Sequence, residues 1–190
     1  MRVTLKLAMA ESLAGQLLLA SPALLDPNFR RTVVLVGMHS AEGALGVVLN
    51  RPSEVTVGRA VPQLQAAVDG EEPVFVGGPV APSSVVVLAE FEDPAPAGML
   101  VVGRIGFPAA DADLDELARA TTRRRVYAGL AGWGEGQLDA ELKNGDWIAH
   151  SALADDVFTE RPGDLWSSVL QRKGQSYALM ARMPLDPSMN

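Results

Sequence analysis

Four short runs hold the side chains with the means to do chemistry. They are Asn28-x-Arg30-x-Thr32, His39-Ser40, Asn50-Arg51-Pro52 and Gly132-Trp133-Gly134-Glu135-Gly136. His39-Ser40 sets a base beside a hydroxyl, the pairing a nucleophilic dyad needs. Neighbours in an extended strand point to opposite faces, however, so the two cannot hydrogen-bond as a dyad. A G-x-S-x-G elbow is absent from the sequence. Metal chemistry needs three or four converging ligands, and the only histidines, His39 and His150, are far apart with no H-x-x-x-H spacing. Asp111, Asp113, Asp115 and Glu116 are better explained as capping and first-turn charge for a helix. No cofactor and no metal site is therefore expected.

The glycine run opens a helix beginning at Gln137, an arrangement in which free N–H groups and the helix dipole can meet an anion. It lacks the lysine and Ser/Thr of a P-loop and the G-x-G-x-x-G spacing of a dinucleotide turn, and Glu135 stands where a phosphate would sit. A tight structural turn with Trp133 in a loop is the expectation. Arg123-Arg124-Arg125 is the one basic cluster, expected to be solvated cations at the C-terminus of a preceding helix.

The remaining polar residues fall at strand ends. Asn28, Arg30 and Thr32 mark entry to a strand, Asn50 and Arg51 end a hairpin, and Gly77-Gly78-Pro79 ends another strand. With His39, Trp133 and Gln137 they form the candidate binding set, since such positions can point past a sheet into a common cleft. The same residue types serve equally well as turn and ion-pair fittings.

These residues need a scaffold of paired strands. Leu17–Ala20, Val33–His39, Ala44–Asn50, Val74–Val76, Val126–Leu130 and Trp147–His150 read as strands, and Val85–Ala89 with Leu100–Ile105 as a hairpin across the loop EDPAPAG. Thr56 caps a helix running to about Val68, with Pro62 in or near its first turn or kinking it. Asp113–Thr122 reads as a further helix, Gln137 starts another closed by Asn144-Gly145, and Pro162–Lys173 is an N1-proline helix with Leu165, Trp166, Val169 and Leu170 on one face. Hairpin-length connections imply an α+β fold: one domain over 1–190, with a mixed, mainly antiparallel sheet flanked by a few α-helices. Residues 1–14 and 184–190 are expected to be loose termini.

Composition narrows the classes. The 190 residues carry a net charge of −7, with acidic side chains in excess in both halves, so direct nucleic-acid binding is not expected. Cysteine is absent, which removes disulfides, thiolate zinc and cysteine nucleophiles. Glu11 and Gln16 interrupt the first apolar stretch, and no window reaches the ~18 apolar residues of a membrane span. A cytoplasmic protein with no membrane association is expected.

Leu17 to Pro52 (LLLASPALLDPNFRRTVVLVGMHSAEGALGVVLNRP), VFVGGPV from Val74 and YAGLAGWGEGQLDAEL from Tyr127 resemble the YqgE/AlgH family, as do Asp146-Trp147 and Trp166. The resemblance covers nearly the whole chain. It implies a bacterial single-domain α+β protein; some members are labelled putative transcriptional regulators, and no catalytic residues carry over. Leu130 stands where the family commonly has an aromatic. Together these readings favour a non-enzymatic regulatory or adaptor protein, monomer or homodimer, that binds a small ligand or a protein partner. The alternatives are an enzyme using a polar cleft around His39, Asn50 and Arg51, and a transcriptional regulator acting on DNA.

Overall fold

In the computed structural model, residues 12–183 are described. Residues 1–11 and 184–190, most of the expected loose termini, lie outside them. The strands are β1 (Gln16–Ala20), β2 (Val33–Ser40), β3 (Gly43–Val48), β4 (Pro52–Thr56), β5 (Pro73–Val76), β6 (Val80–Phe91), β7 (Ala97–Val102), β8 (Ile105–Pro108), β9 (Thr121–Trp133) and β10 (Trp147–Ser151). The helices are α1 (Val57–Ala60), α2 (Leu114–Ala120), α3 (Gln137–Asn144), α4 (Ala154–Val157), α5 (Pro162–Lys173) and α6 (Gln175–Met180), with a 3-10 turn at Pro62–Ala66.

One sheet runs β10-β1-β2-β3-β9-β6-β8-β7, with β4 and β5 branching from β9. Every pairing is antiparallel except β5 with β9. The fold is the expected α+β, a mixed sheet flanked by helices. The sheet curls: a Cβ on Gly15 would lie 2.6 Å from the Val101 carbonyl oxygen and one on Gly37 would lie 2.9 Å from the Phe107 ring, so opposite ends of the strand path approach each other.

Period-2 alternation divides the core into two faces. Leu17, Leu19, Val33, Leu35, Val47 and Leu49 point inward, where Leu165, Trp166, Val169 and Leu170 of α5 fill the curl. Leu18, Ala20, Val34, Val36 and Val48 point outward and are covered by Leu138 of α3, Trp133 and Trp147. A third cluster lies under α1, the 3-10 turn and α2, against Val74, Ala89 and Val126. The α5 stripe matches the expected face. Its Trp166 indole N–H donates to the Ala20 carbonyl at 2.8 Å, tying the helix to the end of β1.

Three local expectations are corrected. The Val85–Ala89 and Leu100–Ile105 segments do not pair as a hairpin; β6 pairs with β8, and the tight hairpin is β7–β8 across Gly103 at φ 55. A left-handed turn residue closes a short hairpin more readily than a proline-containing loop. The helix expected from Thr56 to Val68 is one turn of α1 followed by a 3-10 turn restarted by Pro62, whose missing N–H interrupts the ladder. Pro52 opens the edge strand β4. Trp133 is the last residue of β9 and is buried.

Arg123–Arg125 belong to β9, and their guanidinium groups are committed. Arg124 satisfies the end of α2 through the Ala118 carbonyl at 2.9 Å, as a helix C-terminal cation should. Arg123 pairs with Glu90 at 2.7 Å and Asp155 at 3.1 Å. The Glu90 carboxyl is held below its usual range, first by the hydrogen bond from Arg123. Arg125 donates to the carbonyls of Val157 and Thr159, both at 2.9 Å, and lies 4.4 Å over the Phe75 ring. Arg123 and Arg125 thus hold α4 and its following loop to the sheet.

Candidate functional site

The turn before β2 is built by short polar contacts. Asp26 accepts the Asn28 backbone N–H on its carboxylate at 2.8 Å, and the Thr32 hydroxyl donates to the Phe29 carbonyl at 2.7 Å. Asn50, at the exit of β3, accepts the Val33 N–H on Oδ1 and donates from Nδ2 to the Arg31 carbonyl, both at 2.9 Å. One amide side chain therefore clamps the turn to the hairpin end. Arg51 then donates from Nη2 to the Arg30 carbonyl at 2.8 Å.

These contacts bring Arg30, Arg31 and Arg51 to one cleft of about 530 Å³ between the turn and the first turns of α5. Leu25, Pro27 and Asn50 also line it, and α5 contributes Gly163, Trp166 and Ser167. Arg31 adopts φ 55, its guanidinium lies 4.7 Å over the Trp166 ring, and it also hydrogen-bonds the Met183 carbonyl. Burial, then the neighbouring Arg30, lowers the Arg31 pKa. Among the described residues no carboxylate lines this cleft, and the Arg30 guanidinium makes no ion pair.

The adjoining groove makes the contrast plain. It shares Ser167 but is lined by Arg123 and Arg161 together with Asp155, Glu160 and Asp164. Charge there is compensated in place. In the arginine cleft, like charges share one concavity, an arrangement relieved by a bound anion.

Of the candidate set, the structure brings Arg30, Asn50 and Arg51 together. Thr32 is buried beneath them as a turn fitting, and Asn28 is exposed on the turn outside the lining. His39 lies six residues beyond Val33 on β2, about 20 Å away at ~3.3 Å per residue. Its Nδ1 accepts the Leu13 N–H at 3.1 Å, and its Nε2 is 3.9 Å from Asp139. The constellation of His39 with Asn50 and Arg51 is therefore not assembled.

Trp133 packs on the outer face, stacked with Phe29 at 6.3 Å and edge-on to Trp147 at 5.8 Å. Trp166, beside Arg51, belongs to the inner face. Gln137 caps its own turn, accepting the Gly134 N–H at 3.0 Å and donating to Glu141 at 2.8 Å. Gly77 and Gly78 sit at the fork where β3 leaves β9 and β5 replaces it: Val48 N–H donates to the Gly77 carbonyl, and Gly77 N–H to that of Ala128. Gly78 is buried and Pro79 exposed beside it. Residues that sequence reasoning overlooked at the cleft are Arg31, Gly163, Trp166 and Ser167. The Arg30-Arg31 doublet was the available signal; Trp166 was legible only as a core residue of α5.

Among the described residues, no group of three or more His, Asp or Glu side chains is placed to hold a metal ion. No helix among them is long and apolar enough to cross a membrane.

The AlgH-like family model matches residues 17–178. A UPF0301 protein of Mycolicibacterium smegmatis is 42% identical over 181 residues, covering 93% of this chain and 90% of the relative. A UPF0301 protein of Mycobacterium tuberculosis is 42% identical over 182 residues with the same coverage. The crystal structure of a Corynebacterium diphtheriae protein superposes with a TM-score of 0.80 at 29% identity, covering 89% of this chain and 91% of that one. The solution structure of the AlgH protein from Pseudomonas aeruginosa gives 0.69 at 27% identity, covering 94% and 98%.

Proposed function

The chain belongs to the AlgH-like family, and from that premise we propose that it is a non-enzymatic recognition protein, regulatory or adaptor in role, whose arginine cleft binds an anionic small molecule. The observation that carries this reading is the convergence of Arg30, Arg31 and Arg51 on one cleft with no lining carboxylate among the described residues, in a chain of net charge −7. In an acidic protein, a local excess of guanidinium is a site for negative charge and not a general surface property.

The donor set favours binding over chemistry. Arginine stays protonated across the physiological range, so it orients an anion without shuttling protons. The Asn50 amide is engaged by the backbone on both sides. Trp166 is a wall already stacked by Arg31, which fixes that guanidinium before any ligand arrives.

The test is calorimetric titration of the full chain with phosphate, citrate and pyrophosphate at low ionic strength. Saturable binding of at least one anion is expected. A charge-assisted hydrogen bond contributes about 1.5–3 kcal/mol, so Arg30→Ala and Arg51→Ala should each weaken that anion by roughly 10- to 100-fold. Arg30 is exposed, so its loss should move the melting temperature little, while half-buried Arg51 also gives up its hydrogen bond to the Arg30 carbonyl and should lower it by no more than that one contact, about 0.5–1.5 kcal/mol. Affinities unchanged in both variants, or no saturable binding to any anion, would contradict the proposal.

A further inference from the structure

We propose that the open edge of β10 takes up an extended peptide carrying an acidic side chain among apolar ones, adding it to the sheet as a further strand. This surface shares no lining residue with the arginine cleft.

The backbone shows which groups are free. β10 ends the strand path and pairs only with β1, antiparallel, with Leu17 opposite His150 and Leu19 opposite Ile148. The Ser21 N–H donates to the Asp146 carbonyl at 2.8 Å, so Asp146, Ile148 and His150 turn their backbone groups towards β1. The period of two then turns those of Trp147, Ala149 and Ser151 to the open side. Among the described residues the Trp147 and Ala149 N–H groups have no acceptor there. The Ala149 carbonyl accepts the Lys173 ammonium at 2.7 Å, which confirms that it faces away from β1. Free backbone groups repeating every second residue, about 6.6 Å apart, match the hydrogen-bonding edge of another strand.

The groove of about 560 Å³ along this edge is also lined by Lys173 at the end of α5, Tyr177 and Met180 of α6, and Met183. An added strand points alternate side chains to one face, and these residues offer that face mainly apolar surface. Methionine is unbranched and adapts to different side chains.

Charge selects the occupant. Among the described residues Lys173 is the one charged residue lining the groove, and no carboxylate lines it. Its ammonium occupies the Ala149 carbonyl where an incoming strand would donate, as a lysine guarding a free edge does. A partner that displaces it leaves a cation in a largely apolar groove, and a carboxylate on the partner pairs it again. A second copy of the chain does the reverse: pairing β10 with itself about Ala149 brings two Lys173 side chains together, and like charges oppose the contact.

The experiment is fluorescence anisotropy of a labelled, amidated heptapeptide of alternating threonine and valine, with glutamate in place of the central valine, titrated with the full chain at low ionic strength. Saturable binding is expected. Glutamine in place of the glutamate should weaken it about fivefold, the loss of one partly exposed ion pair. Methylation of the peptide's backbone nitrogens should weaken it about tenfold or more, since each lost hydrogen bond contributes about 1 kcal/mol. Lys173→Met keeps the apolar stem and removes the charge, so it should erase the preference for glutamate while both peptides still bind. Equal binding of the glutamate and glutamine peptides, or a preference that survives Lys173→Met, would overturn the acidic occupant. Equal binding of the methylated peptide would show a pocket without strand addition, and no saturable binding would remove the peptide site. A dimer in sedimentation that the glutamate peptide dissociates would make a second copy the occupant and overturn the proposal as well.

Discussion

A Gly78→Ala variant is expected to lose about 4 kcal/mol or more of folding stability, a loss confined to a few mechanisms of which backbone collision is one. Gly78 has φ 149, in the region that favours glycine. Its added Cβ would lie 2.2 Å from both the carbonyl carbon and oxygen of Leu130, and 2.4 Å from the Ala131 nitrogen. All three are backbone atoms of the central strand β9, so no side chain can rotate aside. The fork that positions β3, β5 and β9 would have to open, and with it the hairpin end that carries Asn50 and Arg51. Gly136→Ala is the control: φ is 66 but nothing lies within 4 Å of its Cβ, so only conformational strain of about 1–2 kcal/mol is added. Urea denaturation of the two variants decides the matter. Equal destabilisation would show that the close approach at Gly78 is not what fixes the fork.

Glu141→Ala is expected to destabilise the fold by about 3 kcal/mol. The Glu141 Oε2 accepts the indole N–H groups of Trp133 at 2.8 Å and Trp147 at 2.7 Å, and both rings are buried. Removing the carboxylate leaves two buried donors unsatisfied at about 1–3 kcal/mol each. Glu141→Gln keeps an acceptor oxygen and should lose clearly less. Denaturant midpoints followed by indole fluorescence provide the measurement, and a loss below 1 kcal/mol for Glu141→Ala would mean that water replaces the carboxylate.

The same pair of tryptophans shows how far the sequence could be read. Trp133 between glycines has the composition of a loop, yet Gly132 and Gly134 lie outside the left-handed region and β9 continues through Trp133. Pairing of Ala44 with Trp133 is what extends the strand, a partner more than eighty residues away that no local window contains. Strands with clean apolar runs, β1, β2 and β3, were legible because their burial is regular on both faces. The β6–β8 pairing was not, because hairpin logic favours sequence neighbours and β7 lies at the sheet edge beyond β8. Of the site, Arg30, Asn50 and Arg51 were legible as polar residues at strand ends. Gly163 and Trp166 were not legible as site residues, because only the curl of the sheet lays α5 against the turn before β2.

The most direct measurement is a crystal structure of the full chain with saturating pyrophosphate. Anion binding in this cleft requires the ligand between the turn before β2 and the start of α5, within hydrogen-bonding distance of at least two of the Arg30, Arg31 and Arg51 guanidiniums. Pyrophosphate bound elsewhere while these arginines face only water would contradict it.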